Sequence, residues 1–385
     1  MRRPGLRPMR ALPVLEARRD ALEKCVFCPK LCRSTCPVSN AEPRETITPW
    51  GKMSGAWMAA HGDVPLDAVH AASAWACSGC WHCRAGCDHR NPVADVLLDA
   101  RAALARRGLA PPAARRVIDR FPQHDAATQD STRALMNHPR ARPGGADALL
   151  IGCSYTRRLP EEAFDAVSAT TALTGRPVEL VRRCCGLPLL LAGDAEGFAR
   201  QVATVARSVA GAARILVVDA GCASTLRRHY RGAADYVAAR TQVLVELAAE
   251  RVSGLAAVGD LGGLVRWHDP CQLGRVLGLY DAPRAVLGRI LGRPPDELLD
   301  VREHAICAGS GGLLPSTMPD VARSIAAARV AAHDQAGGGR IVTACASSLL
   351  LLRRAGAGSH VPVDDLVTWI ARASQGDPLS GRSGA

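Results

Sequence analysis

The chain has 385 residues, a formal net charge of +12, 48% hydrophobic and only 4% aromatic residues, and 15 cysteines. That length supports two or three domains with proper cores, so disulfides are not needed for stability and the cysteines call for another use. The opening stretch MRRPGLRPMRALPVLEARRD lacks the apolar core of a secretory signal, and no apolar run approaches the roughly 18 residues of a membrane span. A cytoplasmic protein without a membrane span is expected, and there cysteine clusters bind metal or do redox chemistry more often than they form bridges.

Residues 1–24 read as an N-terminal extension. Residues 1–124 carry 19 basic against 11 acidic side chains, with lysine only at Lys24, Lys30 and Lys52. Such a basic face steers an acidic redox partner or an anionic substrate. Nucleic acid fits less well, because no basic run is interleaved with stacking aromatics.

Residues 25–108 read as a helical ferredoxin-like domain. CVFCPKLCRSTCP places cysteines at 25, 28, 32 and 36, and CSGCWHCRAGC places them at 77, 80, 83 and 87. The second run has the spacing C-x2-C-x2-C-x3-C of a two-cluster ferredoxin, in which three close thiolates face one cube and the fourth reaches the other. That logic groups Cys77, Cys80 and Cys83 with Cys36 around one [4Fe–4S] cluster, and Cys25, Cys28 and Cys32 with Cys87 around the second. The first run is one residue longer between Cys28 and Cys32, and Asp88 stands where proline usually follows. Zinc needs four thiolates per ion and does not call for two graded runs of four. His82 is read as a loop residue, and Trp75 and Trp81 as shields against water. NPVADVLLDARAALARRG then predicts an amphipathic helix, with Pro92 in its first turn and Gly108 at its end.

Residues 109–145 lose periodicity and gather proline, which predicts a linker or a wrapping segment. From 146 onward short apolar runs alternate with alanine-rich helices. DALLIGC, PVELV, RILVVDA, GLVRWHD and RIVTACA read as buried parallel strands; PEEAFDAVSATTALTG, GFARQVATVARSVAGA and MPDVARSIAAARVAAHDQAGG read as the helices between them. An internal repeat runs through this region. Cys184 and Cys222 are 38 positions apart, as are Cys307 and Cys345, and CASTLRR at 222–228 matches CASSLLLLRR at 345–354. Each copy also has an upstream cysteine at the end of an apolar run, Cys153 and Cys271. Each unit therefore holds Cys, then Cys-(Cys or Ala)-Gly, then Cys, a duplicated metal-site pattern whose cysteines fall at strand ends, where open α/β sheets build ligand sites. The glycine-rich CAGSGGLLP lacks the Lys-Ser/Thr of a P-loop, so its glycines are assigned to the bend that holds Cys307. His268 and Asp269 read as turn formers before Pro270, with a proton donor or a partner to the metal ligands as the alternative. The expected class is α+β: the helical two-cluster domain, then two tandem α/β lobes at 146–255 and 256–372, then a disordered tail at 373–385.

Paired ferredoxin runs followed by these repeats, with the words CCGLPLLLAGD and HDPCQLGR, resemble the CCG-type cysteine-rich iron–sulfur oxidoreductase family over about residues 25–370. That family includes heterodisulfide reductase catalytic subunits and the iron–sulfur subunits of glycolate and lactate oxidases and of anaerobic glycerol-3-phosphate dehydrogenase. The resemblance implies five cysteines per repeat around a non-cubane iron–sulfur centre in the best-equipped members, the adjacent pair and its glycine forming a bend that presents two thiolates to neighbouring irons. Here the first repeat keeps Cys153, Cys184, Cys185 and Cys222 but has Thr225 in the fifth position, and the second keeps Cys271, Cys307 and Cys345 with Ala308 and Ser348 in the lost positions. Four thiolates hold a cube or a zinc ion; three hold a cluster with an open iron, or pack as small hydrophobes. The resemblance implies an iron–sulfur electron-transfer subunit of a larger oxidoreductase, with two [4Fe–4S] clusters and a further cluster or zinc in the first lobe. A flavoprotein partner is expected as a separate subunit, since no flavin or nucleotide fingerprint is present, and no catalytic residue is assigned. Two other readings stay open, a metal-bound scaffold that recruits a partner and a zinc nucleic-acid binder.

Overall fold

Thr48, Pro49 and Gly62 delimit one helix by local chemistry alone: the Thr48 hydroxyl accepts from the Gly51 N–H at 3.0 Å, proline fills the first turn, and Gly62 ends the helix at φ +76°. In the computed structural model, which describes residues 7–30, 32–137, 145–258 and 263–375, this helix Pro49–His61 belongs to the first of two units. That unit gathers the chain up to residue 121 together with 188–198 and 306–326; the second holds 122–187, 199–305 and the chain from 327 on. The core of the first unit joins helices Arg19–Val26, Pro49–His61 and Val93–Ala105 through Leu22, Met53, Trp75, Val96 and Leu97. Met9, Leu12 and Leu15 are buried in the same core, so residues 7–24 are integral to the unit rather than an extension of it. The helix foreseen after Cys87 is present, with Gly108 at φ +73° just beyond it.

The stretch 109–145 differs from the expected linker. It holds helices Pro112–Asp119 and Phe121–Leu135, the first begun by Pro112 in its opening turn. The second helix buries Asp125, Thr128 and Thr132, and these polar residues on its inner face erase the apolar periodicity. Residues 138–144 lie outside the described residues, as does the part of the expected tail from 376 on; the last helix, Leu366–Ala373, precedes it.

The second unit contains two parallel sheets. The first has strands β1 (Asp147–Leu150), β2 (Glu179–Leu180), β3 (Arg214–Val217) and β4 (Thr241–Val243) in the order β2-β1-β3-β4. The other has β5 (Val265–Trp267), β6 (Arg340–Thr343) and β7 (Val363–Asp365) in the order β5-β6-β7. Five of these coincide with the five apolar runs read as strands. β4 and β7 are missed by pattern, because TQV and VDD carry no apolar run. Parallel pairing demands the helical crossovers seen between strands, and it aligns their C-terminal ends, where the cysteines follow.

β7 ends in a buried polar contact. The Tyr155 hydroxyl donates to Asp365 at 2.6 Å, and Asp365 also accepts from the Val367 N–H at the start of the last helix. Burial pushes the Asp365 carboxyl up to about 7 against those two hydrogen bonds. A carboxyl raised in the fold favours the fold in its protonated form; its contribution is full below the ordinary value near 4 and disappears as pH rises through 7. Asp365→Asn, which mimics the protonated group, is therefore expected to match the parent near pH 4.5 and to exceed its stability at pH 8 by on the order of 2–4 kcal/mol. Thermal midpoints at the two pH values check this, and an equal difference at both would refute it.

Candidate metal centres

The N-terminal cysteines form two groups within the first unit. Cys25 lies in the last turn of helix Arg19–Val26, and its Sγ accepts from the Asn91 side-chain amide at 2.9 Å. Burial, partly offset by that amide, pushes the Cys25 thiol up to about 12, and Cys32, Cys87 and Cys28 add to the rise. Cys32 is likewise pushed up to about 11, by burial and then by Cys87 and Cys28. The second group gathers around Cys83, raised well above its ordinary value by burial and then by Cys77, Cys80 and Cys36. Thiols crowded this tightly are costly to ionise on their own, and a shared cation that displaces their protons offsets that cost.

Lys52 lies against this second group. Its Nζ donates to Cys36 Sγ at 3.5 Å, although the residue is only 2% exposed. Burial works against its charge, but Cys36, Cys77 and Cys83 together hold the ammonium above its ordinary range. The Gly79 N–H points to Cys77 Sγ at 3.4 Å, and Trp81 takes a left-handed φ of +60° with the Arg84 guanidinium stacked 4.6 Å from its ring centroid. Trp75 is buried in the core, consistent with a shielding role.

The segment carrying Cys307 belongs to this same first unit, whereas Cys271 and Cys345 belong to the second. Cys307 Sγ lies 3.9 Å from the Ser78 hydroxyl, and the Gly309 N–H donates to that sulfur at 3.3 Å. The glycines of CAGSGGLLP have a steric purpose. A Cβ on Gly311 would stand 2.3 Å from the Ser78 carbonyl, and one on Gly312, at φ +65°, 2.0 Å from that of Cys77. They let one backbone lie directly on the Cys77–Ser78 turn.

The first repeat builds its site wholly within the second unit. Cys153 opens helix Cys153–Arg158 after β1, the adjacent pair follows β2, and Cys222 lies in the first turn of helix Ala220–His229 after β3. Gly186 takes φ +83° and turns the chain after the pair, as a bend presenting both sulfurs requires. Three backbone groups at the bend are held: Cys184 N–H donates to Asp125 at 2.9 Å, Gln201 donates to the Cys184 carbonyl at 2.8 Å, and the Tyr230 hydroxyl donates to the Cys185 carbonyl at 3.0 Å. Cys184 Sγ lies 3.7 Å from Cys153 Sγ. Contacts among the four sulfurs raise the Cys184 and Cys222 thiols and hold Cys185 well below its ordinary value. Cys153 is held down to about 6, by Cys184 first and by His124 after the opposing effect of burial. Four sulfurs gathered this closely form a set from which a metal would displace the remaining protons.

Two residues of this site have no cysteine signal in the sequence. His124, from helix Phe121–Leu135, brings a ring nitrogen within 4.8 Å of the Cys153 and Cys184 sulfurs. It stands 29 residues before Cys153, in the stretch expected as a linker. Arg157 Nη1 lies 2.6 Å from its Nδ1. Asp219 caps helix Ala220–His229 by accepting from the Cys222 N–H at 3.0 Å, and its other oxygen accepts from the Ala346 N–H at 3.2 Å. Burial raises its carboxyl to about 6. It thus ties the first repeat's Cys222 to the residue after Cys345, whose own thiol is pushed up to about 12 by burial and then by Asp219. The Asp of VDAGC, at a strand end three residues before a cysteine, is the signal for it.

The fifth-position Thr225 turns its hydroxyl onto the Gly221 carbonyl at 2.7 Å, so it serves its helix. Ala308 and Ser348 are buried. Asp269 accepts both arms of the Arg284 guanidinium at 2.8 Å, the Trp267 indole N–H at 2.9 Å and the Arg302 N–H at 2.8 Å. Burial holds His268 neutral, near 3. Both residues do structural work at the end of β5.

The sequence profile of the cysteine-rich domain, CCG, matches residues 148–227 and 265–353, and that of the 4Fe-4S dicluster domain matches 21–91. The chain is similar to one component of the fumarate reductase (CoM/CoB) of Methanothermobacter marburgensis, 26% identical over 314 residues that cover 79% of this chain and 62% of that protein. It is also similar to an uncharacterized iron–sulfur protein of Methanocaldococcus jannaschii, 30% identical over 51% of this chain and 39% of that one. A third relative is one component of the dihydromethanophenazine:CoB–CoM heterodisulfide reductase of Methanosarcina acetivorans, 33% identical over 30% of this chain and 28% of that protein. The chain thus spans less than two thirds of each of these relatives. The chain carries a 4Fe-4S dicluster domain ahead of two CCG cysteine-rich domains.

Proposed function

We propose that this chain is the iron–sulfur electron-transfer subunit of a multi-component oxidoreductase, with one [4Fe–4S] cluster held by Cys25, Cys28, Cys32 and Cys87 and another by Cys36, Cys77, Cys80 and Cys83. The observation that carries it is Lys52: a lysine this deeply buried beside Cys36 fits a cysteine group that is anionic, as cluster thiolates are, and not four neutral thiols. Bound clusters supply one-electron storage. The protein's own residues exclude water through Trp75, donate to sulfur through Asn91, Gly79 and Lys52, and fix the loops by hydrogen bonds.

The first repeat holds a further metal, a cluster or zinc, on Cys153, Cys184, Cys185 and Cys222, with His124 at hand as a nitrogen donor in place of the missing fifth sulfur. The partner is a separate redox protein, which we read as a flavoprotein, in the cytoplasm. A specific observation favours a different account of the second motif. Cys307 and its glycines support a reading in which this motif braces the Cys77–Ser78 turn and binds no metal of its own.

Iron, acid-labile sulfide and zinc are to be measured on anaerobically purified protein, with EPR before and after reduction. About eight irons with equal sulfide and two reducible signals are expected from the N-terminal groups, with additional iron or one zinc from the first repeat. Zinc with no labile sulfide would refute the electron-transfer reading. His124→Ala is expected to lower first-repeat metal affinity by roughly 10–100-fold in a chelator competition, without change in the eight irons.

A further inference from the structure

A reduced iron–sulfur centre carries one more negative charge than its oxidised form, so a fixed cation in a dry site favours the reduced state. The two cysteine groups of the first unit differ in this respect. The buried partner at Cys25 is the neutral Asn91 amide, 2.9 Å from the sulfur and anchored by a second bond to the Ala21 carbonyl. The buried partner at Cys36 is the ammonium of Lys52, 3.5 Å from the sulfur. Its helix is pinned by the Thr48 cap and the Pro49 start, so the charge is held in place. Arg101, also 2% exposed, adds a second cation on the same side, its Nη2 donating to the Cys77 carbonyl at 2.9 Å.

We propose that Lys52 sets the reduction potential of the centre held by Cys36, Cys77, Cys80 and Cys83 and makes it the higher-potential centre of the two, where electrons collect. The proposal rests on the cluster assignments given above. It gives the unit a polarity: the electron-rich end is the one whose Cys77–Ser78 turn is covered by Gly311, Gly312 and Cys307. Exposed charges are screened by water and salt, whereas this one is not, so its effect survives high ionic strength.

The test is a redox titration of the full chain followed by EPR. Cys28→Ser and Cys83→Ser first assign one signal to each group. In the parent protein the signal altered by Cys83→Ser is expected to appear at the higher potential. In Lys52→Met, at the parent's midpoint, the ratio of oxidised to reduced form of that signal is expected to rise at least tenfold, about 59 mV for a one-electron couple. The other signal should change less than threefold, and Lys52→Arg should restore the parental ratio. A Cys83-linked signal at the lower potential in the parent overturns the proposal, and this arm decides even where Lys52→Met loses iron. A ratio within twofold of the parent in an iron-replete Lys52→Met overturns it as well. Iron far below eight per chain in the parent overturns the cluster assignment and the proposal together, whereas a full complement with unshifted potentials overturns only the role of Lys52.

Discussion

Alanine in place of Cys185 is expected to empty the first repeat of metal while leaving the N-terminal irons in place. Cys185 is 1% exposed and lies against both Cys184 and Cys222, so it links Cys222 to the Cys153–Cys184 pair. Without it, Cys153, Cys184 and Cys222 offer three thiolates, one short of a closed tetrahedral site. The second repeat already contains this variant, since Ala308 occupies the corresponding position. The bend does not depend on the sulfur: Gly186 makes the turn, and Asp125, Gln201 and Tyr230 hold the backbone. Loss of metal should therefore come without loss of fold. Metal in the first repeat is expected to fall to roughly a tenth or less of the parent value under mild chelation, because a ligand is removed and not merely its support. Metal analysis beside far-UV circular dichroism measures both quantities. Unchanged metal content in a folded Cys185→Ala would show that the adjacent pair is a packing feature.

What the sequence made legible, and what it hid, follows from how each element is stabilised. The five longer strand runs were readable because buried parallel strands need continuous apolar residues, and the repeat was readable because ligand spacing survives when other residues change. Helix Phe121–Leu135 was hidden because its inner face is polar: Asp125 turns inward to hold the Cys184 N–H, and His124 to reach the cysteines. The residues that erase the helical pattern are those that serve the site. The same holds for Asp219, which reads locally as a helix cap and acquires its second bond, to Ala346, only through tertiary structure. Lys52 gives no signal, because one lysine in a helix reads as surface until its neighbours are placed.

Arg101→Met is expected to be among the most destabilising single changes in the first unit. The guanidinium donates to four carbonyls, those of Ala74 at 2.9 Å, Cys77 at 2.9 Å, Leu191 at 3.2 Å and Gly312 at 3.2 Å. These come from segments far apart in sequence, two of them lying within the two cysteine repeats, so one side chain ties together all parts of the unit. Burial lowers its pKa to about 10, and a neutral side chain escapes that cost. Methionine, however, leaves four acceptors without their donor, each worth about 1–3 kcal/mol. The second effect dominates, because guanidinium is weakly hydrated and its planar fork matches acceptors that converge from several directions. A net loss on the order of 4 kcal/mol follows, a large part of the roughly 5–15 kcal/mol typical of a folded domain. Arg101→Lys should recover only part of it, since one ammonium cannot span four carbonyls. Apparent melting temperatures at matched scan rate test this order of parent, lysine and methionine variants. Equal stability in all three would mean that packing of residues 188–198 and 306–326 onto the ferredoxin helices is held by their apolar contacts alone.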